Sequence, residues 1–553
     1  MENEENPKGV FAYHMRTKHG RRGFAPGPGF MDWANQPDPF RRYDGAEFLA
    51  LPLVAGPADV DFSSLDRAGS VPPRGLDAEN LSLFLELSLG LTAWKEYQGS
   101  RWALRANPSS GNLHPSECTL LAPPIEGVCE QPGIFHYAPL DHGLELLQAP
   151  GMRTLAPLIG DDGTSFLAIL SSVHWRESWK YGERAYRYCQ HDAGHALGSI
   201  RYAAALLGWR ARLLAEPSDA ELAALAGLDR TDLFAHGESE VPDFCIAVDA
   251  GAPADMEAGT WGRAAPDTAA GEWLGTPNRL SEQHVRWRAI DDVEASAAKP
   301  RTESANFTES TKAGAERSDF GIAATDIIRR RRSAVAMDGT TGMDKEAFLG
   351  VLARTLPRAG SVPWDGFPFA PALSLALFVH RVGGLPPGLY LFARGLDHAE
   401  RLRAVAPDFI WREPVGGDLP LYLLTEGDLR NAARAVSCGQ DIAADGAFSL
   451  GMIADFSGII EAEGPWAYRR LHWEAGLIGQ VLYLEAEAAG RRATGIGCFF
   501  DDEMMEILGH DVGPEREAWR SLYHFTVGGA VDDDRLATLD AYHHLPEERR
   551  TRA

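Results

Sequence analysis

The chain has 553 residues, 45% hydrophobic and 9% aromatic, which is enough for ordinary buried cores and long enough for two domains. Acidic residues number 78 against 53 Lys and Arg, for a formal net charge of -25. A field of that sign repels polyanions, so neither nucleic acid nor an acidic membrane is an expected partner, and an anionic ligand would need a local cluster of cations.

The opening residues, MENEENPKGV, are acidic and polar, unlike a secretory signal, and no apolar run approaches transmembrane length. The six cysteines (Cys118, Cys129, Cys189, Cys245, Cys438 and Cys498) are scattered, with no Cys-x-x-Cys pair. That spacing suits reduced, mostly buried thiols and no zinc site, so a cytoplasmic protein is expected.

Along the chain, the first stretch with chemical character is RANPSSGNLHPSE, from Arg105 to Glu117. PGIFHYA (Pro132 to Ala138) then reads as a turn into a strand. After WKYGER comes AYRYCQHDAGHALGSIRYAAALLGWRA, from Ala185 to Ala211. Here Ala193, Ala196, Ile200, Ala203 and Leu207 recur at helical spacing, and Gly208 offers the left-handed exit of a long helix. His191 and His195 stand at i and i+4, as on a zinc helix. Asp192 occupies the place of the usual glutamate, and a third ligand would have to come from elsewhere. Histidines packed at an interface, with no metal, are the expectation.

From Glu294 onward the chain is rich in Ala, Ser, Thr, Lys and Glu, a linker composition at mid-chain. Beyond it the first half recurs. AYRRLHWEAGLIGQVLYLEAEAAGRRA (Ala467 to Ala493) lies without gaps on the earlier helix, matching Gly194 to Gly476 and Gly208 to Gly490. PGLYLFA (Pro387 to Ala393) likewise matches PGIFHYA. A tandem duplication follows, with one domain over residues 1–275, a linker over 276–318 and a second domain over 319–553. Two copies of a self-pairing fold would make a pseudo-dimer within one chain.

The strand match places Pro108-Ser-Ser-Gly-Asn-Leu-His-Pro115 opposite Pro363-Trp-Asp-Gly-Phe-Pro-Phe-Ala370. Proline and glycine are kept, but Ser109, Ser110 and Asn112 become Trp364, Asp365 and Phe367. One copy therefore offers hydroxyls, an amide and an approachable glycine backbone to a polar or anionic ligand. The complementary feature is DIIRRRRSAVAMDG (Asp326 to Gly339), where Arg329 to Arg332 and Ser333 stand together in an acidic protein. A bare arginine run is usually a solvated face, and the serine after it favours a phosphate site.

Together PSSGNLHPSE, WKYGERAYRYCQHDAGH, RRRRS and TGIGCFFDD resemble the FMN-dependent nitroreductase superfamily, in its SagB/ThcOx-type dehydrogenase branch, which includes azoline oxidases. YHMRTKH (Tyr13 to His19) and DWANQPDPFRRY (Asp32 to Tyr43) are similar to the tandem members of that branch. The resemblance implies an α+β fold of two nitroreductase-like domains, each a mostly antiparallel sheet surrounded by helices, with FMN between the copies. By the same resemblance Arg331 and Ser333 would hold its phosphate, and Gly495 and Gly497 would line its ring. Ser109, Ser110, Gly111 and Asn112 would close the site from the other copy. Val335 departs from the second cation often found there, so Arg330, Arg332 or the region near Arg535 could meet the phosphate instead. Lys180 and Tyr181 would remove substrate hydrogen as proton acceptor and relay. The second combination would pair Arg16 and Thr17 with PWDGFPFA and RARLLAE, which lacks the glycines of TGIG, so one FMN per chain is expected.

The implied function is dehydrogenation of a small-molecule or peptide-derived substrate. Alternatives are an NAD(P)H-dependent reductase of nitro, quinone or ene compounds, and a non-catalytic scaffold of decayed domains. A separate G-x-G-x-x-G dinucleotide fingerprint is absent, but NAD(P)H stacks directly on the flavin in such proteins, so the electron partner stays open. The pseudo-dimer could act as a monomer.

Overall fold

Two helices of 22 residues each, α1 (Ala185–Leu206) and α2 (Ala467–Ala488), run against each other through the centre of the computed structural model. It describes residues 8–251, 260–305, 307, 321–412, 415, 417–509 and 519–552. The helices cross at their matched glycines. A Cβ on Gly194 would lie 2.2 Å from the Trp473 carbonyl oxygen, and one on Gly476 would lie 2.1 Å from that of His191. Only glycine permits so close a backbone approach. Gly208 and Gly490 follow the two helices with φ of 70° and 65°, the left-handed exits their positions predict. Gly476→Val is expected to cost about 3 kcal/mol through overpacking, seen as a lower Tm in thermal unfolding.

Each half wraps this helix pair with an antiparallel sheet. In the first half the strands run, in spatial order, Glu47–Ala50, Gly143–Gln148, Gly133–Ala138, Ser116–Ala122, Ser165–Ser172, Val241–Asp249 and Arg210–Leu214. In the second the order is Leu421–Glu426, Gly388–Phe392, Leu373–Val379, Phe448–Asp455, Trp519–Gly528 and Arg492–Ile496. Without the extra edge strand Glu47–Ala50, the two sheets have the same connectivity, as a duplicated α+β fold requires. Alternation of side chains sorts each strand into two cores. Phe166, Ala168 and Leu170 face the central helices, whereas Leu167 and Ile169 pack outward under the short helices that carry Leu155, Leu158, Leu222 and Leu225.

The halves also exchange their ends. The hairpin β1 (Leu91–Tyr97) and β2 (Ser100–Arg105) of the first half takes β3 (Ala537–Leu539), near the end of the chain, as its third strand. Tyr542 Oη accepts from the Leu91 amide at 3.0 Å, and Arg552 and Arg329 both clamp buried Glu86. Conversely, the helix Lys8–Arg16 packs Phe11 and His14 on Phe456 of the second half.

Within the 276–318 segment, Thr276–Pro277 pairs with Tyr43–Asp44, and the helix Arg288–Ser296 buries Ile290 and Val293. Residues 306 and 308–318 of that segment lie outside the described residues. Among the described residues, no helix is long and apolar enough to cross a membrane.

Candidate active site

A cavity of about 570 Å³ opens between the two halves, walled by residues of both. Its second-half wall begins where the helix Ala324–Arg330 ends and the chain docks on the strand Arg492–Ile496. The Ala334 amide donates to the Ala493 carbonyl at 3.2 Å, and Thr494 Oγ1 donates back to the Ala334 carbonyl at 2.7 Å. This places Ser333 beside Gly495. Tyr483 Oη joins them, 2.8 Å from Ser333 Oγ and accepting from the Gly495 amide at 3.1 Å.

Arg331 is buried, 4% exposed, with its guanidinium 5.1 Å from the Tyr483 ring centre. Its Nη2 donates to the Arg105 carbonyl at 2.8 Å, and its buried Nε has no partner among the described residues. Arg332 and Lys95 line the same end, Lys95 coming from β1 of the first half. Burial first, then the charges of Arg331 and Arg492, pulls Arg332 down to about 9. Burial and Arg332 likewise lower Lys95. Cations that depress one another in this way form a site for an anion. Arg330 and Arg535 point elsewhere. Both are exposed and paired with their own neighbours, Asp326 at 3.0 Å and Asp533 at 2.7 Å.

The first-half wall is the turn after β2. Gly111 and Asn112 both adopt left-handed backbone, with φ of 59° and 60°. Ser109 and Ser110 turn inward rather than toward the cavity alone. The Ser110 amide and Oγ donate to Asp192 Oδ1 at 3.0 and 3.1 Å, and Ser109 Oγ lies 3.5 Å from Glu177 Oε1 while accepting from the His114 amide. Asn112 Nδ2 donates to the Ala103 carbonyl at 2.6 Å. The polar side chains of this turn thus hold its shape.

Glu177 and Asp192 are fully buried behind the turn, and burial raises both, with Asp192 reaching about 7. An acid raised on folding contributes stability that is complete below its unfolded value and is lost as pH rises through the folded one. The contribution of Asp192 therefore falls as pH rises from about 4 through about 7, against the opposite trend of buried His195, His472 and His524, which burial holds low. Asp192→Asn keeps an acceptor for Ser110 and is expected to flatten that loss in melts taken across the range.

Tyr181 lines the cavity at the end of the helix His174–Tyr181. A Cβ on Gly111 would lie 2.4 Å from Tyr181 Oη and 3.0 Å from Lys180 Nζ, so the pair and the turn meet directly. Lys180 Nζ sits 5.3 Å from the Tyr181 ring centre. Gly497 gives its carbonyl to Tyr188 Oη at 3.1 Å. Of the residues singled out in the sequence, Ser109, Ser110, Gly111, Asn112, Tyr181, Arg331, Ser333, Gly495 and Gly497 line one cavity, and Lys180 stands behind Gly111 without lining it.

Other wall residues were not singled out for a binding role: Lys95, Tyr188, Asp192, Tyr483 and Tyr523. Tyr188, Asp192 and His195 stand at i, i+4 and i+7 of α1, a polar stripe that could have marked one wall. His191 stacks on Tyr523 at 4.1 Å between ring centres, inside the helix interface.

The duplicated position is built differently. Asp365 forms a double hydrogen bond with Arg201, at 2.9 and 2.7 Å, and buried Trp364 lies under Arg394. The hollow there, about 300 Å³, is lined by Arg212, Arg358, Trp364, Asp365 and Phe367 among others. Arg16 and Thr17 are not part of it, contrary to the sequence expectation. Arg16 pairs with Glu183 at 2.5 Å, and Thr17 Oγ1 accepts from Arg187 at 3.0 Å. The apolar face of their helix packs on Phe456, Tyr186 and Tyr468, near the start of α1 and α2, whereas Arg201 and Asp365 lie toward the end of α1.

Two antiparallel sheets around a shared helix pair, with a cavity between the copies, define the nitroreductase fold in two-copy form. A protein of Anabaena variabilis, named as a candidate nitroreductase, superposes with a TM-score of 0.66 at 21% identity, covering 95% of this chain and 99% of its own. The E. coli microcin synthetase McbBCD complex with truncated pro-MccB17 bound contains a chain that overlays 44% of this one and 93% of itself, at 17% identity and a TM-score of 0.26. A candidate nitroreductase in complex with FMN, from Exiguobacterium sibiricum, overlays 41% of this chain and 92% of its own, at 14% identity and a TM-score of 0.22. No family model matches the chain, and no curated protein matches it.

Proposed function

We propose that the chain is an FMN-dependent oxidoreductase whose two nitroreductase-like copies, 1–275 and 319–553, share one flavin. On this reading it dehydrogenates a small-molecule or peptide-derived substrate, as azoline oxidases do. The observation that carries the reading is the composite cavity, with crowded cations at one end and glycine backbone and buried tyrosines along its wall. Its volume lies in the range of small-molecule and cofactor sites. The residues fit FMN: the buried, unpartnered Arg331 Nε and the mutually repelling cations suit a phosphate, and Gly495 and Gly497 bring bare backbone to the cavity wall, packed closely against Tyr523 and Tyr188.

Arg331 and Ser333 would hold the phosphate, with Arg332 and Lys95 beside them. Gly495 and Gly497 would flank the ring, and the turn Ser109–Asn112, braced by Asp192, would close the opposite side. FMN, when bound, would supply the two-electron acceptor for substrate hydride at N5. Burial, and then the charge of Glu177, holds the Tyr181 phenol well above its ordinary value, so it keeps its proton and orients the substrate by donating a hydrogen bond. Lys180, adjoining it, is the proton acceptor.

The test is reconstitution of purified apoprotein with FMN, followed by denaturation and measurement of released flavin per chain. One FMN per chain is expected. A colourless protein that cannot be reconstituted would overturn the reading, and two tightly held flavins would reject the single site. Rapid bleaching by NAD(P)H would point instead to a reductase.

A further inference from the structure

Two cysteines far apart in sequence face each other at the cavity wall. Cys438 lies in the turn after the helix Arg430–Val436, and Cys498 lies between the strand Arg492–Ile496 and the helix Asp501–Ile507. The two segments run in opposite directions and are tied on both sides of the pair. The Phe500 amide donates to the Val436 carbonyl at 2.7 Å, and Gln440 Nε2 donates to the Cys498 carbonyl at 2.9 Å. Between these ties the Cys438 and Cys498 side chains hydrogen-bond to each other. Both are free and half-buried, whereas Cys118, Cys189 and Cys245 are fully buried. Cys498 and Gln440 line the cavity, so one thiol of the pair is reachable from it.

We propose that Cys438 and Cys498 are a redox-active dithiol that closes to a disulfide at the cavity wall. This goes beyond the flavin reading and does not depend on it. The oxidant is a low-molecular-weight disulfide. The Cys498 thiolate attacks one of its sulfurs, releases one thiol and forms a mixed disulfide. The Cys438 thiolate then attacks the Cys498 sulfur and releases the second thiol. One disulfide bond is broken and one made, and the two cysteine protons end on the two released thiols. The order follows from the pair itself. The hydrogen bond from Cys438, with Arg184 nearby, draws the Cys498 thiol below its ordinary value, while the same bond raises Cys438. Closure would tether the strand end and following residues, Gly495 to Cys498, which form one wall of the cavity, to the turn at 437–440.

The test uses the full-length protein and oxidised glutathione as the probe. Free thiols counted in denaturant should fall by two of the six and return with dithiothreitol. Non-reducing peptide mapping should find the 438 and 498 peptides cross-linked. Cys438→Ser should stop with one glutathione on Cys498, and Cys498→Ser should leave Cys438 unmodified. Retention of all six thiols in wild type, or glutathione on Cys498 with no cross-link, would each overturn the proposal. Wild-type mapping decides the matter even if a serine variant fails to fold.

Discussion

Replacing Arg331 by alanine is expected to weaken FMN binding about 10- to 100-fold, the equivalent of about 1.5–3 kcal/mol for a hydrogen bond to a charged group. The expectation rests on how this guanidinium is held. It is buried, fixed over the Tyr483 ring and bonded through Nη2 to the Arg105 carbonyl, yet its Nε has no partner among the described residues. No carboxylate pairs with it among those residues, so its charge is available to an anion. Arg330→Ala is the matched control, because Arg330 is exposed and already paired with Asp326. Fluorescence titration of the apoproteins with FMN measures both. Unchanged affinity for Arg331→Ala would move the phosphate away from this end of the cavity. A selective loss in Arg332→Ala would instead assign it to the neighbouring cation.

The central architecture was legible because its physics is local and repeated. The two long helices announced themselves by 3.6-residue spacing and by glycines that the structure places at the backbone crossing and at the exits. Comparing the copies also isolated the Ser109–Asn112 turn, whose counterpart is occupied by the Arg201–Asp365 pair.

What escaped was non-local or depended on side-chain direction. The third strand of the hairpin, Ala537–Leu539, is short and mostly exposed, so it carries no alternating signal. Its pairing brings Lys95 to the cavity from a segment with no motif of its own. Ser109 and Ser110 were identified by residue type, but which way they point is set by Asp192 and Glu177 on two different helices. Asp192 was noticed in the sequence only as a departure from a zinc pattern. Arg16 and Thr17 were tied to the second combination only by the family resemblance, and the helix that ends at Arg16 buries its apolar face on the second half, away from the Asp365 hollow.

Lys180→Ala is expected to reduce turnover about 100- to 10,000-fold, the usual range for loss of a positioned acid or base, and Tyr181→Phe about 10-fold, the scale of one lost hydrogen bond, while both leave FMN bound. The pair packs on Gly111 of the turn, and neither side chain is itself a proposed cofactor contact. Their placement is constrained from two sides. Gly111 packs against Tyr181 Oη and Lys180 Nζ, and Gly182, with φ of 56°, ends the helix so tightly that a Cβ would lie 2.4 Å from the Pro26 carbonyl oxygen. Tyr181 also sits edge-on to Tyr188 at 4.7 Å between ring centres, which limits its rotation. A phenol raised by burial does not serve as the base at neutral pH, so the two variants should differ in kind. Lys180→Ala removes the acceptor and should lower kcat, whereas Tyr181→Phe removes a donor that orients substrate and should raise KM as well. Flavin content and visible spectrum, recorded beside turnover of a substrate that reduces the wild-type flavin, separate chemistry from cofactor loss. Full turnover by Lys180→Ala with its flavin intact would remove this lysine from the reaction and leave Asp192, raised to about 7 behind the same turn, as a buried group able to take a proton.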